Sequence, residues 1–188
     1  AARVERAPAL ARIVIGIDPP GSARPGSDGC GIVAAGIAEN GTVYVLEDAS
    51  VQGMSPSGWA SKAVALYRRL AADALVAEVN LGGDMVRAVL QQVDASVAVK
   101  CVHATRGKWL RAEPIAAMYR KSKVKHVGVF PALEDEMCDF GLDGLSSGAS
   151  PDRLDALVWA VTELAERRPR IENLSVALDA FEYDCGRF

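Results

Sequence analysis

The segment from Arg12 to Asp18 constrains this chain most. It reads Arg-Ile-Val-Ile-Gly-Ile-Asp, with Pro19, Pro20 and Gly21 directly behind it. A β-branched run of this length is the pattern of a buried strand. The prolines end it, so a carboxylate is delivered at the strand's tip. A charge there is costly unless something compensates it, and a metal ion with oxygen ligands is the candidate. Asp18 is therefore expected as the first ligand of a metal site, and the rest of the chain has to supply further acids.

The order of elements follows from periodicity and turn chemistry. Cys30 to Ala38 and Thr42 to Asp48 flank Asn40-Gly41. Asn-Gly between two apolar runs predicts a hairpin, so the first three strands form an antiparallel meander. Ser55 caps and Pro56 opens a helix to about residue 72. Ala74 to Val79 is a fourth strand, parallel because a helix precedes it, and it also carries an acid, Glu78. A helix from about Asp84 to Val93 and a fifth strand from Ser96 to Val102 follow. Gly82 and Gly83 suit either an approach of nucleic-acid backbone or an ordinary turn. Val127 to Phe130 reads as a short extended piece, and Pro131 to Phe140 as an acidic helix. Ser150 and Pro151 open a helix to Glu166 with an apolar stripe at Leu154, Leu157, Val158, Val161 and Ala165. The fold class is α/β: a mixed five-stranded sheet, an antiparallel three-strand meander plus parallel strands, flanked by helices. Residues 1–10 read as a linker, 11–168 as one domain and 169–188 as a C-terminal tail.

The 188 residues are half hydrophobic, enough for one core. The formal net charge is -3, so a nucleic-acid contact has to come from a local patch. One such patch exists. Arg106, Lys108, Arg111, Arg120, Lys121, Lys123 and Lys125 follow one another with Trp109 and Tyr119 interleaved. A polyanion would exploit that segregation, while a solvated helix face is the plain alternative. The four cysteines form no Cys-x-x-Cys pair and suggest reduced thiols in a cytosolic protein rather than zinc ligands. No apolar run reaches membrane-spanning length, and neither a signal-peptide pattern nor a phosphate loop is present. His103 and His126 are isolated and receive no role.

Four acids stand out: Asp18, Glu78, Asp152 and Asp155. The last two are three apart and occupy neighbouring positions on one helix flank. Gathered together, four carboxylates would repel one another unless cations neutralise them, and magnesium or manganese suits an all-oxygen cluster. Two such ions can activate water and stabilise a leaving oxygen in phosphodiester cleavage. Each acid also has a plainer reading. Asp152 suits a helix dipole, Asp155 suits an ion pair with an arginine, and Asp28 is either an auxiliary ligand or a solvated turn residue. Asp18 and Glu78 are harder to dismiss, because strand interiors are depleted in acids.

Five motifs carry a resemblance: Ile15 to Pro20, Asp28 to Val33, Ala77 to Asn80, Ala104 to Pro114 and Ser150 to Trp159. From about Arg12 to Glu166 the chain resembles the C-terminal nuclease domain of large terminase subunits from phages and gene transfer agents, in the ribonuclease H-like superfamily. The resemblance implies an endonuclease that cuts concatemeric double-stranded DNA during headful packaging with two Mg2+ or Mn2+ ions. It implies an N-terminal ATPase motor domain in the same full-length protein. The portal and small terminase subunit are implied as partners, without a membrane. The location implied is the host cytoplasm, in association with the capsid. Carried over, Asp18 and Glu78 match the strand acids. The helix acid stays open between Asp152, placed first, and Asp155, which lies nearer the apolar stripe. The seven basic residues would hold DNA without reading bases. Rival readings are a Holliday-junction resolvase, an actin-like kinase, for which the chain is too short, and a non-catalytic packaging or docking module.

Overall fold

The computed structural model describes residues 2–20, 29–79 and 83–166. The chain runs β1 (Ala2–Val4), β2 (Arg12–Asp18), β3 (Gly29–Ile37), β4 (Val43–Asp48), β5 (Val51–Gln52), α1 (Pro56–Arg69), β6 (Ala74–Glu78) and α2 (Gly83–Val93). It continues with β7 (Val99–Val102), α3 (Lys108–Arg120), β8 (Val124–Val127), α4 (Pro131–Asp139) and α5 (Asp152–Glu166). The sheet order is β1-β8-β4-β3-β2-β6-β7, with β5 on β3. β2, β3 and β4 form the antiparallel meander, and β6 and β7 add in parallel. The mixed sheet flanked by helices is thus the one the sequence predicts.

Three short strands enlarge it beyond five. β1 pairs parallel with β8, so Ala2–Val4, within the segment read as a linker, is an edge strand. β8 lies just before the extended piece expected at Val127–Phe130, because Phe130 caps the start of α4 instead. Strands of two to four residues are too short to show a reliable period of two. The loop of 21–28 with Asp28, Gly82 and the tail of 169–188 lie outside the described residues. Among the described residues no helix is long and apolar enough to cross a membrane.

The strand period of two explains both layers. Ile15, Ile17, Leu75 and Ala77 face Trp59 and Ala63 of α1 and Leu90 of α2. Val14, Val33 and Val76 face Ile115 of α3 and Leu157 and Val161 of α5. Gly16 and Gly31 lie beneath α5. A Cβ on Gly16 would stand 2.0 Å from the Ala156 carbonyl oxygen, and one on Gly31 would stand 1.8 Å from that of Asp152. Only glycine admits so close a helix. The start of α5 is held by α4, whose Glu136 accepts from the amides of Arg153 and Leu154 at 3.0 and 3.1 Å. Ser150, expected as the cap, accepts from Lys108 Nζ at 2.9 Å instead.

Candidate active site

Val14, Gly16 and Asp18 share the face of β2 that meets α5, and Val76 and Glu78 share the same face of β6. The parallel register sets Ile17 opposite Ala77. The next pair along is therefore Asp18 beside Glu78, one strand spacing of roughly 4.8 Å apart. α5 enters over them and contributes Asp155, which is 2% exposed, close to Glu78 at 5%. Asp152, one turn earlier, lies over β3, where a Cβ on Gly29 would stand 2.7 Å from its Oδ2. The fold thus brings together all four acids singled out from the sequence, which are up to 137 residues apart.

Their electrostatics show the strain of that gathering. Burial pushes the Asp18 carboxyl up to about 8 against the pull of Lys108, and Asp155, Glu78 and Asp152 add repulsion. Asp155 is also raised by burial, with Lys108 and Arg111 opposing and Glu78 reinforcing. Burial, with Asp18 and Asp152 adding, raises the neighbouring Cys30 thiol, so it stays protonated.

The opposing charge comes from α3. Lys108 Nζ contacts Asp155 Oδ2 and stands 3.8 Å from Asp18 Oδ2. Burial lowers the pKa of this ammonium, but Asp155, Asp18 and Asp152 outweigh burial and hold it above the ordinary value. Arg111 Nη1 donates to Glu78 Oε2 at 2.6 Å, its Nη2 reaches Asp155 Oδ1 at 3.4 Å, and its Cζ lies 4.8 Å from the centre of the Trp159 ring. Trp159 Nε1 donates to the same Glu78 Oε2 at 2.6 Å. A cavity of about 620 Å³, lined by Arg106, Arg111, Leu110 and Trp159 among others, opens beside this cluster.

Among the described residues no three Asp, Glu, His or Cys side chains are grouped to hold one ion as they stand. Lys108 and Arg111 provide the positive charge. The chemistry of the donors still fits a hard dication. Four carboxylates converge and only two cations oppose them, and burial, against the pull of Lys108, pushes the Asp18 carboxyl up to about 8. Asp18, Glu78, Asp152 and Asp155 are the residues that could hold such ions.

Residues 15–164 match the family model of the Terminase RNaseH-like domain. The chain belongs to this family. Solved structures agree on the fold of this terminase domain. The large terminase nuclease of thermophilic phage G20c with bound magnesium is 15% identical, with a TM-score of 0.61 over 81% of each chain. The nuclease domain of the large terminase subunit of bacterial virus Sf6 is 14% identical, with a TM-score of 0.59 over 82% of this chain and 89% of its own. The large terminase of a further thermophilic bacteriophage is 11% identical, with a TM-score of 0.61 over 86% of this chain and 42% of its own. No curated protein matches the chain.

The basic stretch of the terminase domain is not one surface. α3 runs antiparallel to β2, about 20 Å from end to end. Exposed Arg106 and half-buried Lys108 lie at the acid end. Arg111 lies there too, but its side chain is only 9% exposed and faces inward, so it is not the outward DNA contact the sequence suggested. Arg120, Lys121, Lys123 and Lys125 stand at the other end. There β8 pairs Val124 with Val43, and Val43 pairs with Ile37, the partner of Arg12 at the start of β2. Of the interleaved aromatics Tyr119 packs inward, while Trp109 stays exposed at 38%. Trp109 lies 6.0 Å from Phe140 between ring centres, and Tyr119 bonds His126. Trp159, Lys108 and Arg111 were not identified from the sequence as inward partners of the acids. Two signals were available: the expected pairing of Asp155 with an arginine, now seen with Arg111, and the spacing of four between Asp155 and Trp159, which puts them on one helix face.

Proposed function

We propose that this terminase domain is a metal-dependent endodeoxyribonuclease that cleaves concatemeric double-stranded DNA by two-metal phosphodiester hydrolysis. The observation that supports it most is the register of β2 and β6, which sets Asp18 beside Glu78 beneath Asp155. Solved relatives are named for bound magnesium and manganese, and we extend that chemistry to this chain as a pair of Mg2+ or Mn2+ ions. Such a pair supplies a polarised phosphate, an activated water and stabilisation of the departing oxygen. Asp18, which feels all three other acids, comes first among the residues that would hold the ions. Glu78, Asp152 and Asp155 complete the set. Arg106 and Lys108 meet the phosphates at this end, and Arg120, Lys121, Lys123 and Lys125 meet the duplex farther along, all without reading bases. An ATPase motor domain of the full-length protein, the portal and the small terminase subunit are the proposed partners, in host cytoplasm at the capsid.

The test is a plasmid digest with Mn2+, with and without chelator. Nicking that needs the metal and stops with chelator supports the reading. Intact plasmid at every Mn2+ concentration, or equal cutting in chelator, rejects it.

A further inference from the structure

We propose that Trp159 and Arg111 are positioning residues that aim the Glu78 carboxylate. Both donate to one oxygen, Glu78 Oε2, each at 2.6 Å. Among the described residues Glu78 Oε1 accepts no hydrogen bond, so it is the oxygen left for a divalent cation. This inference rests on the metal-dependent reading above.

A single side chain organises the arrangement. The indole of Trp159 offers its edge N–H to Glu78 and its face to the Arg111 guanidinium, 4.8 Å from the ring centre. Arg111 then stands with one nitrogen on Glu78 and the other 3.4 Å from Asp155. It therefore fixes the strand acid and the helix acid relative to each other. Trp159 sits one turn after Asp155 on α5, so the helix that delivers one acid also delivers the clamp for the other. Glu78 is 5% exposed and Arg111 9% exposed at the side chain, so water competes little for these bonds. A lysine in place of Arg111 would be a point charge without the planar fork that sets two nitrogens at fixed positions on Glu78 and Asp155. Groups that hold a ligand carboxylate in this manner set both its orientation and its readiness to bind metal.

Trp159→Phe keeps an aromatic face for Arg111 and removes only the N–H donor. Mn2+ binding to the whole domain, measured by titration calorimetry without DNA, is expected to weaken roughly ten- to hundredfold in this variant. Its melting temperature is expected to fall only by the loss of one buried hydrogen bond, so the variant stays folded. In cleavage assays the metal concentration for half-maximal rate should rise more than the rate at saturating metal falls. Arg111→Lys should show the same split, and it decides the matter if Trp159→Phe does not fold. Wild-type protein that binds Mn2+, with a folded variant that binds it equally well, overturns the positioning role alone. Wild-type protein that binds no Mn2+ overturns it together with the nuclease reading.

Discussion

Helix α3 joins two polar clusters that are balanced in opposite ways. Toward its C-terminus, Tyr119 Oη lies 2.7 Å from His126 Nε2, and His126 Nδ1 lies 2.9 Å from Glu134. Arg3 of the edge strand closes the chain on Glu134 at 2.6 Å. His126 is fully buried, yet both ring nitrogens have partners. At the other end, Lys108 and Arg111 stand among four carboxylates and do not neutralise them. The first cluster ties β1, β8, α3 and α4 together and is complete as it stands. The second is held together by the fold against its own repulsion, the condition in which a bound cation stabilises most. Carboxylates raised by burial and mutual repulsion in one cleft mark function, while groups shifted within a network of satisfied partners mark structure.

The largest effect that separates the two is expected at Asp18. Asp18→Asn should lower cleavage by roughly a thousandfold or more, the scale of several kcal/mol of transition-state stabilisation. It should also remove a pH dependence of the metal-free fold. Asp18 has its pKa raised from 3.8 to about 8. The stability it contributes is full below the unfolded carboxyl's pKa and is lost as pH rises through about 8. Melting temperatures of wild type and variant should therefore diverge between about pH 4 and 8, by roughly 2–4 °C for each kcal/mol, and run parallel above that. Curves parallel over the whole range, or normal nicking by the variant, would contradict the contrast drawn here.

Removing Lys108 should come next. Lys108→Ala takes the closest cation from buried Asp155 and should cost the metal-free domain about 1–3 kcal/mol, discounted because the lysine is partly exposed. Added Mn2+ should then raise the melting temperature further than it does in wild type, since the ion binds only the folded form. Calorimetric scans with and without Mn2+ check this, and equal shifts would show that Lys108 does not substitute for positive charge in the cluster.

In the satisfied cluster, Tyr119→Phe should cost about 1–3 kcal/mol by leaving a buried His126 nitrogen without its partner. Cleavage per folded molecule should not change. The same cluster should weaken in acid. Burial lowers the His126 pKa against the pull of Glu134, so its contribution is present above about 6.5 and is lost as pH falls. The Arg3 bond holds Glu134 down at about 2, so its contribution fades from about 4.5 toward that value. Urea titrations from pH 7 to about pH 2.5 would show the loss in wild type and a smaller one in Arg3→Ala. A Tyr119→Phe protein that is stable yet inactive would mean that this end also serves the site.

What could be read in advance divides along the same line. Asp18 and Glu78 were legible because acids interrupting apolar strand runs are conspicuous. The helix acid was left open, with Asp152 ahead of Asp155. In the fold Asp155 is buried against Lys108 and Arg111, while Asp152 stays half exposed over Gly29. Helical spacing had already set Asp155 nearer the apolar stripe. Which residues partner them was not legible. Arg111 meets Glu78 across 33 residues, and Tyr119, His126 and Glu134 meet through a helix-strand-helix arrangement that leaves no periodic trace. Charge in a row looks the same whether it turns outward or inward, so the basic stretch read as one patch although α3 divides it.

That division gives the smallest effect and the finest test. The two exposed ends of α3 lie about 20 Å apart, roughly six base pairs at 3.4 Å per step. Arg106→Ala should reduce the slope of log K against log salt by about 1 on any duplex that reaches the acids. Lys121→Ala with Lys123→Ala should reduce it by up to about 2, and only on duplexes long enough to run past both ends. Binding isotherms on short and long duplexes at several salt concentrations separate these outcomes. Equal losses on both lengths would mean that the far cations act through the general field of the protein. No loss on either would remove Lys121 and Lys123 from the DNA path and leave the acid end to hold the duplex alone.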